Sequence, residues 1–414
     1  MACALRVEAQ LLYMRVGIIG NYGHNNNGDE AILLGILSQL EVIGIPKEEV
    51  VVFSNHPAIT TKQYNVKAVP LVIKKGTAAS SALATIKAAK HIMKDLELVI
   101  IGGGGLLMDM YRRDAPLYSM LGTTAKKCGC KLIIHSVGAG PIRTVVGKFF
   151  LKRIVNAADH VSVRDVPSQQ LIASISNRKD IKVVADPAFA IPMPPKRKHT
   201  ERLTKIGMTA APYYSQQYWP VHDESKYQQY IQGMAFAADQ LIETHDATIT
   251  FFSTKYPQDI EVSKDIQALM THQERTTIID QQLLPHDIMR VSSEQDLIIG
   301  TRLHSLILSV TVGTPVIGVE YHHKVRHFME SIDESSYSLE IGKHGNGIVT
   351  LINDIQSHWN ETQQRVAHKS SKLHRESFKS LEKIEWLHDH SVQKRQESDG
   401  GQPHEHLCLS ERKS

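Results

Sequence analysis

Short apolar runs alternate along the chain with longer amphipathic stretches, starting at Met14. The runs with the composition of strands are RVGIIG, VVVFS, LELVIIGGGG, KLIIHSVGAG and HVSVRD, followed later by LTKIGMT, ATITFFS, TTIID, DLIIG and TPVIGVEY. Strands that alternate with helices form parallel sheets with helices on both faces. The pattern therefore predicts an α/β protein with two doubly wound, Rossmann-type domains.

The amphipathic stretch DEAILLGILSQLEVIG predicts the first helix. Its apolar residues fall on one face at helical spacing, namely Ile32, Leu33, Ile36, Leu37 and Leu40. Asp29 stands at the start of this stretch, where an aspartate satisfies free backbone N–H groups. We therefore predict a helix that buries this face and that Asp29 caps.

The proline-rich and charged stretch PMPPKRKHTER interrupts the alternation, and we interpret it as an interdomain linker. Beyond the last strand the pattern is helical, and the C-terminal stretch has little to bury. The predicted organisation is an N-terminal extension at 1–13, a first domain at 14–190, a linker at 191–202, a second domain at 203–345, a helical segment at 346–390 and a disordered tail at 391–414.

The composition excludes several classes of protein. With 414 residues, 42% of them apolar, the chain can fill two cores. Its net charge of +4 comes with scattered basic residues, so we expect no nucleic-acid partner. No apolar run reaches the roughly 18 to 20 residues of a membrane span, and the N-terminus lacks a signal pattern. We therefore expect a cytoplasmic protein.

The cysteines Cys3, Cys128, Cys130 and Cys408 match neither a zinc spacing nor a disulfide framework. We interpret them as reduced thiols. The CGC at 128–130 could bind a metal, but filler before a strand explains it better. Because no ligand cluster appears elsewhere, we expect no metal and no cofactor.

The loop GNYGHNNNGDEA follows the first predicted strand. Its glycines let the backbone pass close to a ligand, and its asparagines offer donors and acceptors that suit sugar hydroxyls. We predict substrate contacts from Asn25, Asn27 and Asp29. The alternative is a tight strand-to-helix turn, because Asn and Gly both tolerate positive φ.

Four successive glycines in IIGGGGLLMD suggest a pocket lined by backbone, with contacts at Gly103 and Gly104. Their spacing does not match the dinucleotide fingerprint. Asp109 closes this loop and could act as a base or hold a sugar hydroxyl, whereas a helix-capping role is the alternative. In the later stretch VSVRD, Arg164 and Asp165 are interpreted as an internal ion pair.

The stretch IGTRLHSLILSV joins a predicted strand to a predicted helix and places Arg302 and His304 at the start of that helix. A helix N-terminus binds anions through free N–H groups and the positive end of the helix dipole. The guanidinium matches a phosphate or carboxylate, and the imidazole can transfer a proton near neutral pH. This pattern predicts an anion site with acid chemistry; a satisfied structural histidine beside a structural arginine is the alternative.

Taken together, GNYGHNNNGDEAIL, IIGGGGLLMD, SVGAGPI, VSVRD, ADPAF, GTRLHSLILSV and TPVIGVEYHHK resemble the polysaccharide pyruvyl transferase family in content and order. The resemblance spans about Met14 to Glu330. It implies a GT-B-like fold, with two Rossmann-type domains facing a central cleft and C-terminal helices. The first domain is then the acceptor side and the second the donor side.

The resemblance also implies an activity: transfer of a pyruvyl group from phosphoenolpyruvate to two hydroxyls of a sugar in a cell-surface or exopolysaccharide precursor. The acceptor is then carried by a lipid or a nucleotide, and the enzyme is expected in the cytoplasm, with peripheral contact at the inner face of the membrane. Arg302 and His304 match the family's RLH motif, which engages phosphoenolpyruvate. In this interpretation His304 is the general acid, and Asp109 orients or deprotonates the acceptor.

One position departs from the family. Members commonly carry an arginine after the first strand of the second domain, where this chain has Ala211. Lys324, from the segment YHHK, is predicted to bind the donor in its place, with Arg326 or Lys205 as alternatives. Two other functions stay open: a glycosyltransferase that uses a nucleotide sugar, and a non-catalytic carbohydrate-binding relative. A nicotinamide oxidoreductase ranks last because the glycine spacing is wrong.

Overall fold

Two parallel β-sheets organise the computed structural model, which describes residues 14–109, 113–192, 196–219 and 221–379. The predicted extension at 1–13 and tail at 391–414 lie outside these ranges. Within them, no helix is both long enough and apolar enough to cross a membrane.

The first sheet has seven strands in the order β3-β2-β1-β4-β5-β6-β7. Its strands are β1 (Val16–Ile19), β2 (Val50–Ser54), β3 (Lys67–Pro70), β4 (Leu98–Gly102), β5 (Lys131–Val137), β6 (His160–Val163) and β7 (Lys182–Val183). Its helices are α1 (Asn27–Val42), α2 (Pro57–Tyr64), α3 (Ala78–Met93), α4 (Asp114–Lys127), α5 (Val145–Ala157) and α6 (Val166–Ile175).

The second sheet has six strands in the order β10-β9-β8-β11-β12-β13. Its strands are β8 (Lys205–Thr209), β9 (Thr248–Phe251), β10 (Thr276–Ile278), β11 (Leu297–Gly300), β12 (Val316–Glu320) and β13 (Ser338–Glu340). Its helices are α7 (Glu224–His245), α8 (Gln258–Leu269), α9 (Pro285–Ser293), α10 (Leu303–Thr311), α11 (His323–Ser331), α12 (His344–Ser357) and α13 (Trp359–Lys379).

The central strands are apolar along their whole length because helices cover both faces of each sheet. In the first sheet, Ile18 pairs with Ile100 and Ile19 with Ile101 in parallel register. Successive residues of a strand point to opposite faces. The first pair accordingly belongs to the core under α1, and the second to the core on the other face.

The strand predictions are confirmed for every apolar run named above, whereas three short strands were not predicted. These are β3, β7 and β13, which lie at sheet edges. Their sequences, KAVP, KV and SLE, are short and partly exposed, so they carry no apolar run that would reveal them. They form because a neighbouring strand offers unpaired backbone groups.

The first helix buries the predicted face, but its capping residue differs from the prediction. The helix begins at Asn27, and Asn26 is its cap, with a side chain that accepts from the N–H of Gly28 at 3.3 Å. The prediction that Asp29 caps this helix is therefore wrong. Asp29 lies in the first turn, and its carboxylate is used elsewhere.

The two domains touch directly where α1 begins. The backbone N–H of Asn27 donates to the carbonyl of Thr254 at 3.1 Å, and its side-chain amide donates to the carbonyl of Leu283 at 2.8 Å. Asn26 and Lys255 also form an isolated antiparallel bridge. These contacts fix the N-terminus of α1 against two loops of the second domain.

The last helix, α13, follows the second domain and returns to the first. The side-chain amide of Gln39 on α1 donates to the carbonyl of Ser377 at 2.7 Å. The imidazole Nδ1 of His374 donates to the carbonyl of Phe189 at 2.8 Å. Helix α13 therefore ties the domains together on the side away from the start of α1.

Candidate functional site

The site lies where both sheets reverse their strand order. In the first sheet this point is between β1 and β4, and in the second it is between β8 and β11. Ligands of doubly wound sheets bind at the carboxyl ends of the strands beside such a point. The loops after β1 and β4 carry the predicted asparagine and glycine contacts, and the loop after β11 carries Arg302. The topology thus brings loops that are far apart in sequence to one cleft.

His304 is the second residue of α10. Arg302 is the N-cap residue of this helix, but its side chain makes no capping hydrogen bond. The imidazole Nε2 of His304 is buried and has no hydrogen-bond partner among the described residues. A buried polar atom without a partner is uncommon in folded proteins. The free Nε2 of His304 therefore marks a candidate contact to a ligand.

Gly28, in the first turn of α1, lets this ring approach the first domain. A Cβ at Gly28 would lie 2.4 Å from Nδ1 of His304. The N-terminus of α1 and the N-terminus of α10 therefore meet at the same imidazole. Each of these helix ends carries the positive end of a helix dipole.

Burial is the largest of the effects that lower the pKa of His304 to about 4, and the nearby charges of Arg164 and Lys324 act in the same direction. Asp186 acts in the opposite direction but is outweighed. The ring is therefore neutral at pH 7 in the unliganded protein. An anion bound beside it favours the protonated form and raises the pKa.

Arg302 is held by a buried carboxylate. Its Nη2 lies 2.6 Å from Oδ1 of Asp259, and its Nε donates to the same oxygen at 3.1 Å. Asp259 is fully buried, and its other oxygen accepts from the backbone N–H of Lys255 at 2.9 Å. The guanidinium also lies 6.0 Å from the ring of Tyr321. Asp259 thus fixes the direction in which Arg302 presents its remaining donors.

Lys324, at the start of α11, adds a second cation to the cleft. Its Nζ would lie 2.6 Å from a Cβ at Gly105, so the glycine loop after β4 leaves room for this ammonium group. Burial and, to a smaller extent, the charge of Arg164 lower its pKa to about 8, while Asp29 acts in the opposite direction. A buried cation with a lowered pKa gains from an anionic ligand.

Arg164 supplies a third cation from the loop after β6. Its side chain is only 8% exposed and pairs with Asp186 at 3.3 Å and with Asp165 at 3.7 Å. The predicted ion pair with Asp165 is therefore confirmed. The stronger contact, with Asp186, was not predicted, because Asp186 lies in a different loop.

Asp29 lies in the same cleft. Its Oδ2 accepts from the side-chain amides of Asn21 at 2.9 Å and Asn26 at 2.8 Å. Burial raises its pKa, although these hydrogen bonds and the charge of Lys324 act in the opposite direction. Its Oδ1 would lie 2.8 Å from a Cβ at Gly104. A buried carboxylate with a raised pKa can accept a proton from a substrate hydroxyl.

Asp109 occupies a different environment from this cleft group. Its Oδ2 accepts from the backbone N–H of Arg143 at 2.8 Å and of Thr144 at 2.6 Å. These hydrogen bonds outweigh its slight burial and lower its pKa. The contacts are those of the helix-capping alternative, at the start of α5, and a carboxylate so engaged is a weak base.

The remaining predicted contacts differ in their surroundings. Asn25 is exposed and has a positive φ of 53°. The side-chain amide of Asn27 donates to the carbonyl of Leu283 in the contact between the domains. Gly103 and Gly104 have φ of 64° and 66°, and a Cβ at Gly103 would lie 1.9 Å from Ile32. Gly103 is thus required for packing against α1, and Gly104 for approach to Asp29.

The structure brings Asp29, Arg164, His304 and Lys324 together, and Arg302 lies two residues before His304. We call these five residues the cleft cluster. A cavity of about 440 Å³ opens beside it. Its lining includes Arg164, Lys324 and Asp186, apolar residues of α10 and α11, and the charged side chains of Lys182, Glu376 and Lys379. Its size suits a small ligand.

Sequence reasoning missed Asp186 and Asp259 as site residues. Asp259 lies near the start of α8, 43 residues before its partner Arg302, and no local pattern links them. Sequence reasoning also missed an aromatic group beside Arg302. The rings of this group contact one another in edge-on or tilted arrangements and belong to Tyr213, Tyr214, Trp219 and Tyr321. Two adjacent tyrosines after β8 were the available signal.

Ala211, the position where an arginine was expected, is fully buried after β8. Its backbone N–H donates to the hydroxyl of Tyr230 at 3.1 Å. An arginine here would need the surrounding side chains to move. Of the alternative cations, Arg326 pairs with Glu320 and Glu340. Lys205 is exposed at the start of β8, at the opposite end of the strand from Ala211. Lys324 lies beside Gly105 in the cleft.

The described residues contain no group of three or more histidine, cysteine or acidic side chains arranged to hold a metal ion. The positive charges described in the cleft are those of Arg164, Arg302 and Lys324. Cys130 is buried with its thiol near the carbonyls of Met93 and Leu96, as expected for filler before β5.

A family model now connects this geometry to known proteins. The model of the polysaccharide pyruvyl transferases matches residues 26–323, which is most of the chain. The match begins at Asn26, the cap of α1, and contains the loops after β4 and β11. The chain belongs to the polysaccharide pyruvyl transferase family. Membership indicates a transferase and confirms the resemblance inferred from the motifs. Lys324 lies one residue beyond the matched range.

Among curated proteins, the amylovoran biosynthesis protein AmsJ of Erwinia amylovora is 33% identical over 72 residues. The alignment covers 17% of this pyruvyl transferase family member and 17% of AmsJ. The chain therefore aligns with less than a fifth of that relative's length.

Solved structures extend the likeness to most of the fold. HepE of Anabaena, solved with UDP and glucose, has a TM-score of 0.57 at 11% identity, covering 90% of this chain and 98% of its own. A glycosyltransferase of Rickettsia africae has a TM-score of 0.60 at 11% identity, covering 91% and 98%. At such identities the likeness concerns the fold alone. It confirms the predicted GT-B-like arrangement of the pyruvyl transferase family member.

The approach of Gly28 to His304 gives a first testable prediction. A Gly28→Ala substitution places a methyl group 2.4 Å from the imidazole and must displace the ring. We expect turnover to fall by about tenfold to a hundredfold, since a small misplacement of a reacting group has effects of that size. Steady-state kinetics measure the change. Ser38→Ala, further along α1, is the control and should leave turnover unchanged; equal turnover in both variants would contradict a role for this approach.

Proposed function

We propose that the protein transfers a pyruvyl group from phosphoenolpyruvate to two hydroxyls of a sugar in a polysaccharide precursor, with release of phosphate. The observation that carries the proposal is the buried, unpartnered Nε2 of His304 beside Arg164 and Lys324. Phosphoenolpyruvate brings a phosphate and a carboxylate, and both are anions that cationic side chains and helix N-termini bind.

The donor fits the cleft cluster in charge and size. Arg302 has a planar fork that matches a carboxylate or phosphate, and its direction is fixed by Asp259. Lys324 supplies a compact charge in place of the arginine that Ala211 replaces. The neutral His304 becomes a cation when the donor's negative charge arrives. The donor therefore creates the acid that the reaction needs.

In the proposed reaction His304 protonates the methylene carbon of phosphoenolpyruvate, which makes the neighbouring carbon electrophilic. A first sugar hydroxyl forms a C–O bond to that carbon and loses its proton. A second hydroxyl then forms the other C–O bond and loses its proton, while the C–O bond to phosphate breaks. One of the two hydroxyl protons replaces the proton that His304 gave to carbon, and the other leaves with phosphate, so the net products are the cyclic ketal and hydrogen phosphate.

We propose Asp29 rather than Asp109 as the base that accepts the hydroxyl proton. Burial raises the pKa of Asp29, and Gly104 leaves its Oδ1 accessible to the cleft. The carboxylate of Asp109 is occupied by two backbone N–H groups that lower its pKa. Asp29 and His304 thus form a pair of carboxylate and imidazole with separate tasks.

A ligand panel tests the choice of donor. Phosphoenolpyruvate at about 100 times its dissociation constant should stabilise the fold by about 2.7 kcal/mol in a thermal unfolding assay. Nucleotide sugars are the comparison. A shift with nucleotide sugars alone would instead support a glycosyltransferase of the same fold. Phosphate release that depends on a sugar acceptor, followed with labelled phosphoenolpyruvate, then tests catalysis.

The lowered pKa of Lys324 gives a prediction on pH. Because the unliganded pKa is about 8, the ammonium charge is present below pH 8 and is lost as the pH rises through that value. We expect the affinity for phosphoenolpyruvate to fall above pH 8. Lys324→Arg keeps its charge and should remove this fall, whereas Lys324→Ala should bind weakly at every pH. The dissociation constant for phosphoenolpyruvate, measured at a series of pH values, tests this prediction. Identical dependence on pH in wild type and Lys324→Arg would exclude Lys324 as the titrating group.

A further inference from the structure

Helix α5 exposes large apolar side chains at its start. Val145 is 84% exposed, Val146 58% and Phe149 59%. The opposite face of the helix is buried against the first domain through Gly147, Leu151, Ile154 and Val155. Single exposed apolar residues are ordinary on protein surfaces, but neighbouring ones on one helix mark an interaction surface.

The same helix is rich in positive charge. Lys148, Lys152 and Arg153 are exposed, and the sequence has no aspartate or glutamate from residue 143 to residue 158. We call Val145, Val146 and Phe149, together with these basic residues, the α5 patch. An apolar tip flanked by lysine and arginine is the pattern of a helix that lies in a membrane interface.

The neighbouring helices extend this pattern. A shallow cavity of about 250 Å³ lies between α3, α4 and α5, and the basic side chains that line it are Lys90, Lys127 and Arg153. Hydroxyl-bearing residues of α4, Ser119, Thr123 and Thr124, line it as well. Leu83, on α3, is 70% exposed one turn before this cavity. Cations and hydroxyl groups beside apolar surface suit the phosphate of a lipid headgroup.

The α5 patch faces the edge of the sheet that carries the site. Helix α5 follows β5, so its first turn lies at the carboxyl ends of the strands. Asp109, in the loop after β4, holds the backbone of Arg143 and Thr144 just before the helix. A surface that bound this end of α5 would therefore lie next to the opening of the cleft.

We propose that the α5 patch binds the surface of a bilayer that contains anionic lipids and thereby holds the cleft at the membrane. The charge complementarity favours lipid over a protein partner, because the patch has basic residues without any acidic residue. The proposal rests on the proposed function in one respect: membrane binding would bring the cleft to a lipid-linked sugar acceptor. Binding itself does not depend on catalysis.

Vesicle flotation tests the proposal. The full-length protein is mixed with vesicles of phosphatidylcholine, or of phosphatidylcholine with phosphatidylglycerol, and we expect it to float with the anionic vesicles. The double variant Val146→Ser, Phe149→Ser should bind at least about tenfold more weakly, because two apolar side chains no longer enter the interface. The variant Lys152→Gln, Arg153→Gln should lose about twenty-five-fold, at about fivefold for each charge.

A matched control is Phe236→Ser on α7, which removes an aromatic ring that is 44% exposed in the second domain and should leave flotation unchanged. Melting temperatures of all variants confirm that they fold. Equal flotation of wild type and both α5 variants, or no flotation with anionic vesicles, would overturn the proposal. So would a self-association in solution that the Phe149 variant abolishes, because the patch would then bind a second copy. An absence of pyruvyl transfer activity would leave the flotation result unaffected.

Discussion

Replacement of His304 by glutamine should slow turnover by about 10² to 10⁴, the usual range for the loss of a general acid. Glutamine keeps a hydrogen-bonding group of similar reach but cannot deliver a proton to carbon. Because the fold does not use Nε2 of His304 for a hydrogen bond among the described residues, stability and donor binding should change little. Steady-state kinetics and a binding titration with phosphoenolpyruvate separate the two effects.

The pH dependence of the same variant sharpens the test. In the unliganded protein the pKa of His304 is about 4, so the protonated fraction decreases as the pH rises above 4. If this proton is the one transferred, kcat/KM should fall by about tenfold per pH unit on the alkaline side, as the profile reports groups of the free enzyme. Below pH 8, where Lys324 keeps its charge, this slope should disappear in His304→Gln. His344→Gln is the control, since His344 is buried and its Nε2 already bonds the carbonyl of Tyr230 at 2.9 Å. Near wild-type turnover in a folded His304→Gln protein would remove this histidine from the acid role.

Replacement of Asp259 by alanine should weaken both stability and donor binding. Removal of one partner of a buried ion pair leaves the other charge uncompensated, which costs about 3–5 kcal/mol of the free energy of unfolding. Arg302 would also lose the carboxylate that fixes its direction, so the dissociation constant for phosphoenolpyruvate should rise. Arg302→Lys should mainly raise the dissociation constant for phosphoenolpyruvate, because the point charge of lysine replaces the planar guanidinium.

The second domain offers a matched control for this prediction. Asp296, just before β11, forms an equally buried pair with Arg197, with 2.9 Å between Oδ1 and Nη2. It lies at the opposite end of β11 from Arg302. Asp296→Ala should therefore cost comparable stability while leaving donor affinity unchanged. If both variants lower donor affinity to the same extent, the loss follows from general destabilisation and Asp259 has no positioning role.

The sequence by itself determined the fold class and predicted where an anion site would lie. Runs of β-branched residues predicted the central strands, because strands covered by helices on both faces must be apolar throughout. The strand-to-helix junction at Arg302 and His304 predicted an anion site, because a helix N-terminus has that property wherever it occurs. Both are local properties, which adjacent residues carry on their own.

Only the tertiary structure decided which polar residues meet. Asp259 and Arg302 pair across 43 residues of sequence, and Gly28 of one domain makes room for His304 of the other. Asp29 and Asp109 look alike as loop carboxylates, yet one is buried among amides and cations and the other accepts from the backbone before α5. Burial and partner choice depend on the packing of distant elements, and no local pattern contains that information. The sequence could therefore predict candidate residues, whereas the packing of the domains assigned their environments.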